Sequence, residues 1–167
     1  MIKPEELRLK IRACLQDMTD KLGKDFTGQN VEDLLLMIAC HESHLGKWTQ
    51  QQGEGGIAKG IFQIEPETEN DVYHNYLTYR EPFLEYMVGF RDPDALENCL
   101  DYQIRLARFI LWRKPEAIPE LQDFSHSADP RGAYLANLAI YAKTHWNTPE
   151  GKATPQKYLD DFLRLTT

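Results

Sequence analysis

Long apolar runs are missing from this chain: the longest, Leu34–Cys40, is far too short to span a bilayer, so membrane insertion is not expected. Basic blocks are missing too. With 19 Lys and Arg against 26 Asp and Glu, the net charge of −7 leaves no positive surface to neutralise phosphates. Nucleic acid is therefore not an expected partner, and strong nonspecific adhesion to an anionic envelope is disfavoured as well. The nearest thing to a basic cluster, Arg105, Arg108, Arg113 and Lys114, reads as a solvated helix face. Cysteine is scarce and odd in number, at 3 (Cys14, Cys40 and Cys99), which argues against a disulfide framework and for reduced thiols made in a cytosol. The first ten residues, Met1–Lys10, are too charged for a signal peptide. A substrate beyond a cytoplasmic membrane would then require separate delivery. Internal repeats and low-complexity stretches are not seen.

What the chain has is helical periodicity in a length suited to one domain, 1–167. Residues 4–22 open on Pro4 and stop before Gly23. Asn30 is placed to cap a second helix, with Asp33 in its first turn and an apolar body from Val31 to Leu45. Gly46 closes it. Between Trp48 and Ile64 the texture changes, because Gly53, Gly55, Gly56 and Gly60 crowd together beside alternating Ile57 and Ile61. That pattern predicts a small β-hairpin or a folded glycine-rich loop. Pro66 begins a further helix rich in Glu65, Glu67 and Glu69. The longest helix is expected over 93–113, with a final pair at about 130–147 and 154–165. The fold class that follows is mainly α.

Glu42 lies in the last turn of the central helix. A helix C-terminus carries partial negative charge, and apolar neighbours such as Ile38 and Leu45 add desolvation; both raise a carboxyl pKa and retain its proton. A retained proton is what a general acid needs. Position alone favours a surface glutamate bonded to a neighbour. The following segment tips the reading the other way, since glycines let backbone approach a ligand and Gln63 offers a polar group between Phe62 and Ile64.

Three segments in order, Glu42–Ser43, then Gly60–Ile61–Phe62–Gln63–Ile64, then Leu138–Ala139–Ile140–Tyr141, resemble the signature blocks of lysozyme-like lytic transglycosylases. The stretch Ala58–Leu77 and the tail His145–Lys152 also resemble small proteins of tailed bacteriophages that carry such a domain. The resemblance spans about residues 31–160, with a domain core at about 27–165, and is strong over 38–77. It implies a lysozyme-like fold and cleavage of the MurNAc–GlcNAc bond in peptidoglycan. Glu42 would be the catalytic acid and base, Ser43 would support the substrate or the acid, Gln63 would contact a sugar, and Tyr141 would assist from the opposite wall. No cofactor is implied. The protein would be an endolysin or a virion component made in the host cytoplasm and delivered to the periplasm or cell wall, with peptidoglycan strands and other virion proteins as partners. Two departures stand out. Ala142 occupies the place where the family usually has Asn, and the interval between Gln63 and Tyr141 implies an insertion near 78–100.

Other constellations compete. Glu54 and Glu65 are candidates for a second carboxylate that would turn a transglycosylase into a hydrolase, although hairpin-tip and helix-start charges explain them more simply. His41 and His44 are three apart, not the four of a zinc helix, and no third ligand accompanies them, so a metal is not expected. Cys40 beside His41 reads as a core cysteine. Tyr73, Tyr76, Tyr79, Phe83 and Tyr86 would suit either a sugar groove or core packing. The alternative function is a virion structural or adaptor protein that retains the fold with little or no activity.

Overall fold

The computed structural model describes residues 1–49, 57–147 and 151–167. Among them the order is α1 (Pro4–Leu22), α2 (Gln29–Ser43), α3 (Pro66–Asn75), α4 (Glu81–Val88), α5 (Ala95–Asn98), α6 (Leu100–Trp112), α7 (Pro130–His145) and α8 (Pro155–Thr166). Single 3-10 turns at Leu77–Tyr79 and Leu121–Phe124 join some of these. The chain is mainly helical, as its periodicity predicts. In place of a hairpin the described residues hold one isolated antiparallel bridge, Lys59 to Ile64. The expected hairpin tip at 50–56, with Glu54, lies outside the described residues, as does 148–150.

Proline sets many of the helix starts. Pro4, Pro66, Pro82, Pro130 and Pro155 each occupy the first turn, where a missing N–H costs nothing. Asp129 caps α7 by accepting from the Gly132 amide at 3.1 Å, and Thr154 caps α8 by accepting from Lys157 at 3.2 Å. α1 stops at Gly23, whose φ of 70° is the left-handed C-cap that lacks a Cβ penalty. α2 differs from expectation at its start. Its N-cap is Gly28, with no side-chain cap bond, and the Asn30 amide donates instead to the Ile118 carbonyl at 3.3 Å.

α2 is the axis of the core. Val31 through Cys40 are all buried, and α1, α7 and α8 pack around it. A helix apolar all round needs partners on every face, which is what three surrounding helices supply. α6 packs on α1 and contributes Tyr102, Ile104, Leu106, Phe109 and Leu111. Phe26 fills the gap between elements, edge-on to Phe109 at 5.5 Å and against Trp112 at 4.3 Å.

Two expectations are corrected here. The single helix over 93–113 is broken at Cys99, which is extended at φ −112° and ψ 101°. Its neighbour Asn98 is a weak helix former, and the longest helix is instead α1, with 19 residues. The basic cluster is not one solvated face. Arg105 and Arg108 are buried, and Arg113 pairs with Asp71 at 2.8 Å. The aromatics from Tyr73 to Tyr86 also separate: Tyr73 is buried and bonded to Tyr102 at 3.1 Å, Phe83 packs on Phe109, and Tyr79 is exposed.

Candidate functional site

The end of α2 is the most strained backbone in the described chain. The non-glycine residues with positive φ are His44 (50°), Leu45 (58°) and Gln63 (52°), and all belong to the junction between α2 and the Gly60–Gln63 turn. Left-handed conformations cost L-residues roughly 1 kcal/mol each and persist where surrounding contacts over-determine them, a common property of functional sites.

Ser43 is what holds the junction. Fully buried, its hydroxyl donates to the Ile61 carbonyl at 2.6 Å and accepts from the Gly46 amide at 2.9 Å. The turn is gripped from its other side by Gln103 of α6, whose Oε1 accepts from the Ile61 amide at 2.9 Å. Gly60 cannot be replaced there. At φ 76° a Cβ would lie 2.6 Å from the Gln103 side chain and 2.7 Å from the Leu96 carbonyl. The break at Cys99 has its use in this place, since it lets α5 and α6 present Leu96 and Gln103 to one turn. Gln63 closes the turn on itself by donating from Nε2 to the Gly60 carbonyl at 2.9 Å.

Glu42 sits beside this staple, half-buried on α2. Tyr158 of α8, fully buried, donates its hydroxyl to Glu42 Oε1 at 2.9 Å and accepts a side-chain hydrogen bond from Asn147. Burial pushes the Glu42 carboxyl above its ordinary pKa, and the bond from Tyr158 and the proximity of His41 only partly oppose this. Burial first, and then the facing carboxylate, push the Tyr158 phenol upward, so it remains a donor. Glu42 Oε2 has no hydrogen bond within the described protein. With Oε1 accepting from Tyr158, a proton held by this carboxyl belongs on Oε2.

A second layer braces Tyr158. His41 stacks on its ring at 4.1 Å between centroids and binds Asp161 through Nδ1 at 2.9 Å. Arg164 holds the same carboxylate at 2.9 Å. Asn147 is fixed by Lys143, whose ammonium donates to Oδ1 at 2.9 Å and to the Gly151 carbonyl at 2.9 Å. Trp146 meets Phe62 of the turn edge-on at 6.3 Å.

Of the residues singled out from sequence, Glu42, Ser43 and Gln63 therefore share one junction. Tyr141 does not join Glu42: its hydroxyl donates to the Glu116 carbonyl at 2.8 Å and its ring lies on His145 at 4.2 Å. Glu65 is the N-cap residue of α3, where its carbonyl accepts from Glu69. His41 and His44 face different partners, Asp161 and the Trp48 ring, and among the described residues no His, Cys, Asp and Glu group is arranged to hold a metal. Cys40 is buried and its thiol is pushed up to about 12 by burial, which suits a core residue and not a nucleophile. Tyr158 and Asp161 carry no local signal beyond their i, i+3 spacing, and Trp146 and Asn147 stand out in the sequence only within the His145–Lys152 tail, not as site residues. Among the described residues no helix is long and apolar enough to cross a membrane. Comparison of the chain with protein-family models, with curated proteins and with solved structures gives no match.

Proposed function

We propose that the chain is a bacteriophage peptidoglycan-degrading enzyme of lysozyme-like type, acting on the MurNAc–GlcNAc bond with Glu42 as its general acid. The observation that carries this reading is the carboxyl itself: half-buried, raised in pKa, oriented through Oε1 by Tyr158 and with Oε2 making no hydrogen bond within the described protein. The strained, Ser43-stapled turn beside it supplies glycine-permitted backbone and the Gln63 side chain for a sugar.

The chemistry that follows has two steps. Glu42 Oε2 donates its proton to the glycosidic oxygen as the bond to C1 breaks, and the carboxylate formed is stabilised by the Tyr158 hydroxyl. In the transglycosylase version the muramic 6-hydroxyl then attacks C1, and Glu42 takes back that hydroxyl proton. The product is an anhydro-sugar, and no water is consumed. A hydrolytic version requires water and commonly a second carboxylate. Tyr158 and the Trp146–Asn147 pair, and not Tyr141, are the aromatic and amide groups in this proposed site. Delivery to the wall from a virion, or through a separate pore, belongs to the same proposal.

A structural or adaptor role in the virion is favoured by one observation, the commitment of Tyr141 to the Glu116 carbonyl. Digestion of purified peptidoglycan followed by mass spectrometry, with Glu42→Gln alongside, separates these readings. Anhydromuramyl ends identify the transglycosylase and reducing ends the hydrolase. Absence of Glu42-dependent fragments leaves the structural role.

A further inference from the structure

Arg105 and Arg108 stand one turn apart on α6 and are equally buried, 6% and 5% exposed. Arg105 is saturated: it donates to Asp17 at 2.9 Å, to the Tyr86 hydroxyl at 2.7 Å and to the Asp101 carbonyl at 3.1 Å. Arg108 uses only Nε, on the Phe26 carbonyl at 2.9 Å. Its terminal amino groups make no hydrogen bond or ion pair within the described protein. The guanidinium lies 5.1 Å from the Trp112 ring centroid and opens on a cavity of about 330 Å³. Desolvation pushes its pKa down to about 10, which leaves it charged at neutral pH. The Asp25 carboxylate acts on it only at a distance, with no direct ion pair, and the unbonded amino groups reach solvent, so the charge fits a site whose anion arrives with a ligand.

The same cavity is lined by Asn30 and Val31 from the first turn of α2, the helix whose N-cap is an uncapping glycine. Orphan amides and the positive end of the helix dipole there add to the attraction for an anion. Leu111, Trp112, Pro115 and Ile118 supply the apolar part of a lining that is more polar than apolar. Lys114 adds a second cation, while Glu116 and Glu120 at the exposed rim oppose a multiply charged guest. The volume lies near the lower end of small-ligand sites.

We propose that this cavity binds a small monocarboxylate borne on an apolar body, its carboxylate gripped by the two free amino groups of Arg108. The planar fork of a guanidinium matches a carboxylate bidentately, and Trp112 offers a face to the remainder of the ligand. The site is independent of the Glu42 chemistry, because Asn30 and Glu42 are about 18 Å apart along α2 at its ordinary rise.

The test is calorimetric titration of the whole chain with N-acetyl-alanyl-alanine and with benzoate, against the matching amides and inorganic phosphate. At least one acid should bind at millimolar concentration or below, with its amide and phosphate weaker by about tenfold or more. Arg108→Lys keeps charge but loses the fork and should weaken binding by about tenfold. Should Arg108→Lys fail to fold, Ala117→Trp, which blocks the exposed rim, should abolish binding in a folded protein. The proposal is overturned if neither acid binds, if acid and amide bind alike, if phosphate binds more tightly than both acids, or if a folded Arg108→Lys or Ala117→Trp binds unchanged.

Discussion

Near the start of α2, Glu32 and Asp33 are 6% and 1% exposed, yet each is surrounded by donors. Arg12 grips Glu32 through two nitrogens at 2.9 and 3.1 Å, and Arg8 and the Tyr134 hydroxyl hold Asp33 at 2.7 and 2.6 Å. Near the end of the same helix Glu42 makes no ion pair, has His41 only nearby, accepts from one hydroxyl, and faces the negative pole of the helix dipole. The N-terminal acids have both cationic partners and the favourable helix pole. The C-terminal acid has neither, and burial raises its pKa. One helix thus holds buried carboxyl groups in two settings, with salt-bridge partners at its start and without an ion pair at its end.

The sharpest way to break this comparison is to remove each acid in turn. Glu42→Gln should lower glycan cleavage by about a thousandfold while leaving the fold intact, because general-acid chemistry contributes roughly 10² to 10⁴ in rate; product quantification by mass spectrometry measures it. Asp33→Ala should do the reverse. It strands the Arg8 charge and the buried Tyr134 hydroxyl, and a urea melt should show a loss of about 3 kcal/mol.

Smaller effects sharpen the same contrast. Tyr158→Phe removes the bond that lowers the Glu42 pKa, so the alkaline limb of the pH–rate profile should move to higher pH. Its maximal rate should fall by about tenfold through lost orientation. The stability of the wild type should also carry the signature of a raised acid. Between the ordinary Glu pKa and the folded value, the native state binds more protons than the unfolded chain, so stability falls as pH rises through that window. Glu42→Gln should therefore be more stable than wild type at neutral pH and equal to it at the acid end of the window, read from melts at both pH values.

Local signals made much of the helical frame legible. Pro4 and Pro66 mark starts that the structure places at the same residues, and Gly23 marks a stop. Glu42 and Ser43 were visible as a helix end followed by a glycine-rich turn. The failures share a cause. Arg105 and Arg108 look like solvent-facing charges because periodicity reports the residue types on a stripe but not the Asp17, Phe26 and Trp112 that cover it. Tyr158 lies 116 residues from Glu42, and nothing in the local pattern of α8 announces that pairing. Cys99 breaks a helix in a stripe that looked continuous, because tertiary placement of Leu96 and Gln103 around Gly60 outweighs propensity there.

The proposed chemistry requires a proton on Glu42. A ¹³C-detected carboxyl titration, with the Glu42 signal assigned by its loss in Glu42→Gln, measures this directly. The midpoint should lie above the ordinary glutamate value of about 4.3. A midpoint at or below that value would mean that Glu42 is an anion like any surface glutamate, and the proposed acid would have no proton to give.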